Sequence, residues 1–430
     1  MLDYLQGDLL AKIFTIASIL IIGAFADKED IANFNMIIFF AEITAIFISF
    51  GADAGIVKFY REFDKENVFN NVVMMNIINI FLSSLLLLII GMHLKEGAFS
   101  IVNKNYLTII VFAIFLAATS ISRAHLVSLN ESVKVKWISI ISGTINFFTI
   151  MCFSTFTVLN VFALIATRII SLVMFLSYFL WLSVKFFSLH NINLKLILLM
   201  YKYALPLLIS SLIGTLSIYM SRIVLSEFSN VEDLGVFSYF IMIISSASLL
   251  LHSFNQAWYP YIFDINQKKG IEEVLKEINF KINYFITIAF ALFFLIFVSY
   301  LISDKFQLDL KGYYEKRYLL FILVDTLFFG FFYMLINPLL YINSSTKYIA
   351  YSSISILFFN FLITLFLVSE YKLFGAAISA VFISILNFFV YIYFAELEFK
   401  VKIIRNNTLY LILILIILLL IKYYYIYVSI

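Results

Sequence analysis

The chain has 430 residues, of which 63% are hydrophobic and only 13% are charged, and its mean hydropathy is +1.04. A soluble domain carries about 25% charged residues, and no globular core of this length could hide so much apolar surface. The composition therefore excludes a soluble protein and predicts a polytopic membrane protein. The net charge of +3 says little by itself, and no nucleic acid is expected as a partner.

Apolar windows of about 20 residues, long enough to cross a bilayer, fall into two sets of six. The first set covers 8–25, 32–56, 72–92, 107–128, 136–158 and 160–184, and the second covers 204–226, 235–256, 282–303, 318–342, 348–369 and 373–396. A thirteenth window, "NTLYLILILIILLLIKYYYIYV", ends the chain. We predict an N-terminal six-helix lobe over 1–200, a C-terminal six-helix lobe over 201–398 and an additional transmembrane segment over 399–430.

A short internal repeat supports the division into two lobes. "FADKEDIANF" stands at 25–34, and "FSNVEDLGVF" follows at 228–237, between the first two spans of each set. Six spans is an even number, so both lobes share one orientation. Parallel repeats of this kind enclose a central cavity in which transporters bind substrate. The predicted fold is therefore all-α, with two pseudo-symmetric lobes around a central cavity.

Basic residues in the connecting loops predict the orientation. Loops after even-numbered spans hold 16 Lys and Arg, and loops after odd-numbered spans hold eight. Cytoplasmic loops carry the excess of Lys and Arg, which predicts a cytoplasmic N-terminus. The segment "IEEVLKEI" (271–278) has apolar residues at helical spacing and predicts an amphipathic helix at the cytoplasmic surface.

Motifs of enzymatic chemistry are missing from the sequence. It has no glycine-rich phosphate loop, no His-Glu-x-x-His, no nucleophile elbow and a single cysteine, Cys152. The scattered histidines indicate satisfied or interfacial side chains rather than a metal site: His93, His125, His190 and His252. Because a membrane enzyme normally has a sizeable aqueous loop, and the chain lacks one, we predict a transporter that needs no metal or cofactor.

Charged residues inside the spans are the candidate functional residues. Arg168 lies in "VFALIATRIISLVMFLSYFLW" (161–181), where a charge at bilayer depth costs about 3 kcal/mol or more. A cavity-facing role is favoured over a structural ion pair for Arg168. The other candidate substrate-binding cations are Arg222, Arg123 and Lys12, for which snorkelling or a buried pair is the alternative. Lys422 is close enough to a span end to snorkel.

Three acids lie in the spans and are candidates for ion coupling. Glu42 and Asp53 are 11 positions apart in span two, so we expect them to share a helix face. Asp53 is near the cytoplasmic rim, where a structural turn is the alternative. Asp325 in span ten would either exchange protons or pair with a nearby arginine. The excess of buried cations predicts a cavity that attracts anions, such as a pyrophosphate or an acidic sugar.

The sequence resembles the Wzx-type polysaccharide flippases of the multidrug/oligosaccharidyl-lipid/polysaccharide exporter superfamily. The resemblance is clearest in "YALPLLISSLIGTLSIYMSRIVLSEFSNVEDLGVFSYF" (203–240), "FNQAWYPYIFD" (254–264) and "YKLFGAAISAVFISILNFF" (371–389). It implies a MATE-like fold with alternating access between two lobes in the bacterial inner membrane, with Arg222 at the family's common basic position. It also implies an undecaprenyl-pyrophosphate-linked oligosaccharide as the substrate. Membrane lipid and other polysaccharide-assembly membrane proteins are the other partners that it implies.

Two other functions remain open at this point. A cation-coupled drug exporter of the same fold would favour an acidic cavity, whereas the cavity predicted here is basic. A membrane enzyme of polysaccharide assembly, such as an O-antigen polymerase, should have a large periplasmic loop. The longest hydrophilic stretch here has about 25 residues and is predicted to be cytoplasmic.

Overall fold

The computed structural model describes residues 2–60, 62–93, 100–129, 131–188, 191–286, 313–342, 346–400, 402–403 and 406–429. Within these residues every regular element is helical. The helices are α1 (Leu2–Phe25), α2 (Lys28–Ser49), α3 (Ala52–Phe59), α4 (Lys65–His93), α5 (Ser100–Ser128), α6 (Ser132–Phe156), α7 (Val161–Phe186), α8 (Leu194–Phe228), α9 (Val231–Lys269), α10 (271–286), α11 (Tyr318–Leu323), α12 (Asp325–Ile336), α13 (Leu339–Ile342), α14 (Thr346–Phe399) and α15 (Asn406–Ser429).

Long apolar helices make up most of this part of the chain. Among the described residues, nine stretches are long and apolar enough to cross a membrane, and they confirm predicted spans two to eight and ten to twelve. The longest stretch, Tyr351–Phe399, contains both span eleven and span twelve. Spans one and thirteen are helical, with Ile13–Phe25 and Ile412–Val428 as their described apolar parts. Span nine lies outside the described residues from position 287 onward.

The chain forms two compact units. Unit 1 consists of Met1–Tyr219 and Ser229–Ser238, and unit 2 consists of Met220–Phe228 and Tyr239–Ile430. In unit 1, α1 packs along α6, α2 packs along α5, and α7 packs against both α5 and α6. In unit 2, α14 packs against α11, α12 and α13. The lobe limits drawn from the sequence stay a prediction.

Predicted span two is interrupted between α2 and α3. Phe50 and Gly51 are both left-handed, with φ of 42° and 68°, a conformation that only glycine adopts without strain. Gly51 lies against α8, because a Cβ added to it would stand 3.0 Å from the Cβ of Ala204. The prediction that Glu42 and Asp53 share one helix face is therefore wrong, since the continuous helix that it requires is broken between them.

The internal repeat marks the same helical corner twice. α1 ends at Phe25 and α2 begins at Lys28, while α8 ends at Phe228 and α9 begins at Val231, each 203 positions later. Both second helices carry two acids in the first turn, which the positive end of the helix dipole favours. These acids are Glu29 and Asp30 in α2 and Glu232 and Asp233 in α9. The repeated ten-residue segment, in which four residues are identical, thus corresponds to a repeated element of structure.

The predicted amphipathic helix is confirmed as α10. Its apolar face is fully buried at a spacing of four residues, through Val274, Ile278 and Ile282. Its other face carries Glu273 and Lys276, whose charged atoms are 3.1 Å apart and exposed. The placement of this helix at the cytoplasmic surface stays a prediction.

A tight reversal divides α14 into two membrane-spanning halves. Lys372 has φ 47° and ψ −121°, which breaks the helix between span eleven and span twelve. Beyond the break, Gly375 lies directly against the first half, because a Cβ added to it would stand 1.9 Å from the carbonyl oxygen of Leu367. Only a residue without a side chain fits at this crossing.

Gly375→Ala is expected to lower the amount of folded protein in membranes several-fold. The added methyl group collides with backbone, and overpacking of this kind costs about 1–3 kcal/mol, enough to change abundance several-fold. Fluorescence-detected size exclusion of a tagged protein measures the effect. Gly330→Ala is the matched control, since a Cβ at Gly330 meets no atom within 4 Å. An undiminished Gly375→Ala variant would contradict the close crossing.

Candidate functional site

The start of α7 is fixed by side chains that cap it, and this positions Arg168. Asn160 accepts a hydrogen bond from the N–H of Ala163 at 2.9 Å, and Asp30 of α2 accepts one from the N–H of Val161 at 3.2 Å. Both bonds satisfy backbone donors that a helix leaves unpaired at its N-terminus. Arg168 follows two turns later, about 12 Å along the axis. The residue as a whole is half-buried, while its charged end is enclosed by protein.

Three helices of unit 1 meet around the Arg168 guanidinium. Glu42 of α2 and Tyr219 of α8 are close enough to interact with it electrostatically. Tyr219 is 7% exposed, and its ring centroid lies 4.9 Å from that of Phe39. A guanidinium in a membrane-spanning helix thus has an acid nearby that offsets part of its lost hydration. We call Arg168, Glu42 and Tyr219 the arginine site.

The other predicted cations lie in different surroundings. Arg123 of α5 is half-buried, donates to the hydroxyl of Ser139 at 3.1 Å and lies 5.8 Å from the ring centroid of Phe175. Arg222 belongs to unit 2 and is 5% exposed. Lys12 lies in α1, with its side chain outside the described residues. A substrate-binding role for these residues stays a prediction.

Asp53 lies in the first turn of α3, directly after the break in span two. One carboxylate oxygen accepts from the N–H of Ala54 at 2.9 Å, and the other accepts from the hydroxyl of Ser120 at 2.8 Å. The carboxylate lines a cavity of about 140 Å³ to which Ser49 and Ser211 also contribute. Carboxylate oxygens are ligands of hard cations, and hydroxyl groups form hydrogen bonds with water. This cavity suits the predicted coupling role, and the predicted turn at this position is present too.

Asp325 is held in a buried ion pair in unit 2. Its Oδ2 lies 2.8 Å from Nζ of Lys422 and accepts a hydrogen bond from the Tyr423 hydroxyl at 2.7 Å. Lys422 also donates to the carbonyl oxygen of Phe321 at 2.6 Å. Both charged side chains are at most 2% exposed. The predicted arginine partner of Asp325 is therefore wrong, since the cation is a lysine, and the predicted snorkelling of Lys422 is wrong too.

Sequence reasoning missed the partners rather than the charges. Tyr219, Ser120 and Tyr423 are ordinary residues in apolar runs, and nothing in the chain singles them out. The position of Lys422 close to a span end favours snorkelling to the bilayer surface, and the sequence therefore does not indicate its burial. Asp325 itself is a signal for the burial of Lys422, because an acid in the middle of a span favours a charged partner inside the protein.

A family model described as polysaccharide biosynthesis protein matches residues 4–266. This is more than half of the chain, and the chain therefore belongs to the polysaccharide biosynthesis protein family. It is similar to the capsular polysaccharide biosynthesis protein CapF of Staphylococcus aureus. The two are 24% identical over 404 residues, which cover 90% of this chain and 96% of CapF.

Solved transporter structures share the fold. The lipid II flippase MurJ, in an inward closed conformation, is similar with a TM-score of 0.71 and 14% identity, over 100% of this chain and 93% of MurJ. An inward-facing multidrug resistance transporter of the MATE family is similar with a TM-score of 0.66 and 13% identity, over 91% and 96% of the two chains. At these identities the likeness concerns the fold, and it confirms the predicted all-α, MATE-like membrane fold.

Proposed function

We propose that this protein moves a lipid-linked oligosaccharide across the bacterial inner membrane, from the cytoplasmic to the periplasmic leaflet. The observation that carries the proposal is the arginine site, a guanidinium enclosed by protein two turns inside a membrane-spanning helix, on a residue that is half-buried as a whole. A planar guanidinium binds two oxygens of a phosphate at once. An undecaprenyl-pyrophosphate-linked repeat unit, such as that of an O-antigen or capsule, offers such a group next to its sugars.

In this proposal the substrate replaces Glu42 as the partner of the Arg168 guanidinium. Without substrate, the carboxylate of Glu42 offsets the charge of the guanidinium, and the pyrophosphate takes this place when it enters. Arg222, Arg123 and Lys12 supply further positive charge for the anionic group. Alternating access would then carry the group across the membrane, with an ion released or bound at Glu42, Asp53 or Asp325.

The relatives support this proposal by their kind. CapF is described as a capsular polysaccharide biosynthesis protein and MurJ as a lipid II flippase. The first description supports a polysaccharide as the substrate class, and the second supports transport of a lipid-linked molecule.

The proposed direction depends on a cytoplasmic N-terminus, and reporter fusions test it. Fusions after Lys65, Lys136, Lys195, Lys269 and Lys347 are expected to report a cytoplasmic location, and fusions near Lys104 and Lys311 a periplasmic one. The reason is the excess of Lys and Arg in the first group of loops. A periplasmic signal after Lys269 would overturn the orientation and with it the proposed direction.

The function itself is tested in a strain in which the gene is deleted. Surface polysaccharide should be lost, and its lipid-linked precursor should accumulate where only a probe admitted to the cytoplasmic leaflet reaches it. Expression of the chain should restore both. Normal surface polysaccharide in the deletion strain, combined with increased sensitivity to drugs, would show an exporter of the same fold instead.

A further inference from the structure

A second pocket lies in unit 1, away from the arginine site. It has a volume of about 660 Å³, within the range of pockets that hold small molecules. The end of α3, the start of α4, the end of α5, the start of α6 and the end of α7 form its walls. These helix ends lead into three of the loops that are rich in Lys, so the pocket lies on the side predicted to be cytoplasmic. We call it the aromatic pocket.

One wall of the aromatic pocket carries aromatic side chains. The rings of Tyr178 and Trp181 are nearly parallel, at 29°, with centroids 5.8 Å apart. Phe63 adds a third ring to the lining. Trp181 is 57% exposed and Phe63 is 42% exposed, so their apolar faces are open to a ligand.

The rest of the pocket carries balanced charges. Three carboxylates and three ammonium groups line it: Asp64, Glu66, Glu131, Lys65, Lys134 and Lys185. Lys134 and Glu131 are paired at 2.8 Å, and Nζ of Lys185 lies 5.4 Å from the Trp181 ring centroid. Because the formal charges cancel, the pocket has no net attraction for phosphate. It offers donors and acceptors around an apolar face.

The floor of the pocket is rigid. The Tyr60 hydroxyl and Nδ1 of His125 are 2.6 Å apart, and these residues are 7% and 5% exposed. Burial raises the pKa of the Tyr60 phenol, so the hydroxyl that is hydrogen-bonded to the histidine ring is neutral. His125 also packs edge-on against Phe69, at 5.3 Å between ring centroids. A fixed floor holds the wall above it in place, which reduces the entropy cost of binding.

We propose that the aromatic pocket binds a sugar unit of the oligosaccharide before it enters the membrane, an inference that rests on the proposed function. A pyranose ring has an apolar C–H face, which suits the exposed indole of Trp181, and hydroxyl groups at its edge, which suit the carboxylates and ammonium groups. A second depression, lined by Asn67, Asn191 and Asn193, shares Asp64, Glu66, Lys185 and Phe186 with the pocket and provides room for a second sugar.

Saturation-transfer NMR on the purified protein tests the pocket directly. The probes are N-acetylglucosamine, galactose and glucuronic acid, which represent acetamido, neutral and acidic sugars. At least one is expected to receive saturation from the wild type. Trp181→Leu should weaken binding about tenfold, the loss typical of a central tryptophan contact, and Trp181→Phe should recover part of it.

Trp137→Leu is the matched control, because Trp137 is 56% exposed at the same end of the helices but does not line the pocket. It should bind as the wild type does. No transfer to any of the three sugars, or an equal loss in Trp137→Leu, would overturn the proposal and make Trp181 part of an interfacial aromatic belt. Displacement of the sugar by glycerol 1-phosphate would also overturn it and indicate a lipid headgroup.

The same variants in the complemented deletion strain separate this inference from the proposed function. Trp181→Leu is expected to reduce surface polysaccharide at normal protein level, while Trp137→Leu leaves it unchanged. If even the wild type fails to complement, the proposed function is wrong, and the NMR titration still tests whether the pocket binds a sugar. If the wild type complements but the sugars do not bind, only the pocket assignment falls.

Discussion

Lys422→Ala is expected to lower the amount of protein in membranes several-fold. The substitution removes the ammonium group that lies 2.8 Å from Oδ2 of Asp325 and leaves a carboxylate that is fully buried without its counter-charge. Breaking a buried ion pair by removing one partner costs about 3–5 kcal/mol. Even 1–2 kcal/mol changes cellular abundance several-fold. Quantitative immunoblotting of membranes measures the loss.

The double variant Asp325→Leu with Lys422→Met should restore the protein level. Replacing both charges by apolar side chains of similar size is often neutral or stabilising. A matched pair on α15 gives a milder control, since Tyr423 is 5% exposed and donates to Asp325 whereas Tyr424 is 72% exposed. Tyr423→Phe should lower the protein level measurably, and Tyr424→Phe should not. A Lys422→Ala protein at the wild-type level would contradict the buried pair.

The double variant also decides the role of Asp325 in coupling. If the pair only holds α15 against α12, restoring the protein level should restore surface polysaccharide as well. If Asp325 takes up and releases the coupling ion, the double variant should be abundant but inactive. The single variant Asp325→Asn does not separate these roles, because it leaves Lys422 buried without its counter-charge.

Arg168→Ala is expected to abolish complementation of the deletion strain, with transport reduced by about 100-fold or more. A hydrogen bond to a charged group contributes about 1.5–3 kcal/mol, and a guanidinium makes two of them to a pyrophosphate. Arg168→Lys keeps the charge but loses the planar fork, so partial function is expected. Surface polysaccharide and accumulated lipid-linked precursor are the two measurements.

The neighbouring acid supplies the control for this experiment. Arg168→Ala should stay near the wild-type level in membranes, because Glu42, like Arg168, is only half-buried, so the carboxylate left behind keeps part of its hydration. In the double variant with Glu42→Gln, no charge of the pair remains. If the guanidinium binds the substrate, this double variant stays inactive. Restored transport would show that Arg168 and Glu42 form a structural pair and would remove Arg168 from the substrate site.

The sequence allowed most of the helices to be predicted, and the reason is physical. Lipid requires about 20 apolar residues for each span, so hydropathy alone locates the spans. A turn near Asp53 was considered from the sequence, but the break at Phe50 and Gly51 was not, because one glycine inside an apolar run does not specify two left-handed residues in succession. Its stability depends on tertiary contacts. Asn79 donates to the carbonyl oxygen of Ile48 at 3.1 Å, and the hydroxyl of Tyr201 donates to Asn79 at 2.8 Å.

The candidate site was predictable only in part. Arg168 stood out because a lone charge in an apolar run is costly. Its neighbour Glu42 is 126 positions away in the chain, and their approach depends on how α2, α7 and α8 pack. Period and composition contain no information on such packing. The same limit applies to the aromatic pocket, which residues from five helices assemble.

The buried pair of Asp325 and Lys422 also has a consequence for the order of synthesis. The two residues are 97 positions apart, and at roughly 5–20 residues per second the ribosome needs about 5–20 s to get from one to the other. During that interval α12 carries an acid whose insertion at mid-membrane costs about 2.5–3.5 kcal/mol, and the lysine that neutralises it does not yet exist. Biogenesis of unit 2 therefore includes a stage at which Asp325 of α12 lacks its counter-charge, until α15 has been synthesised.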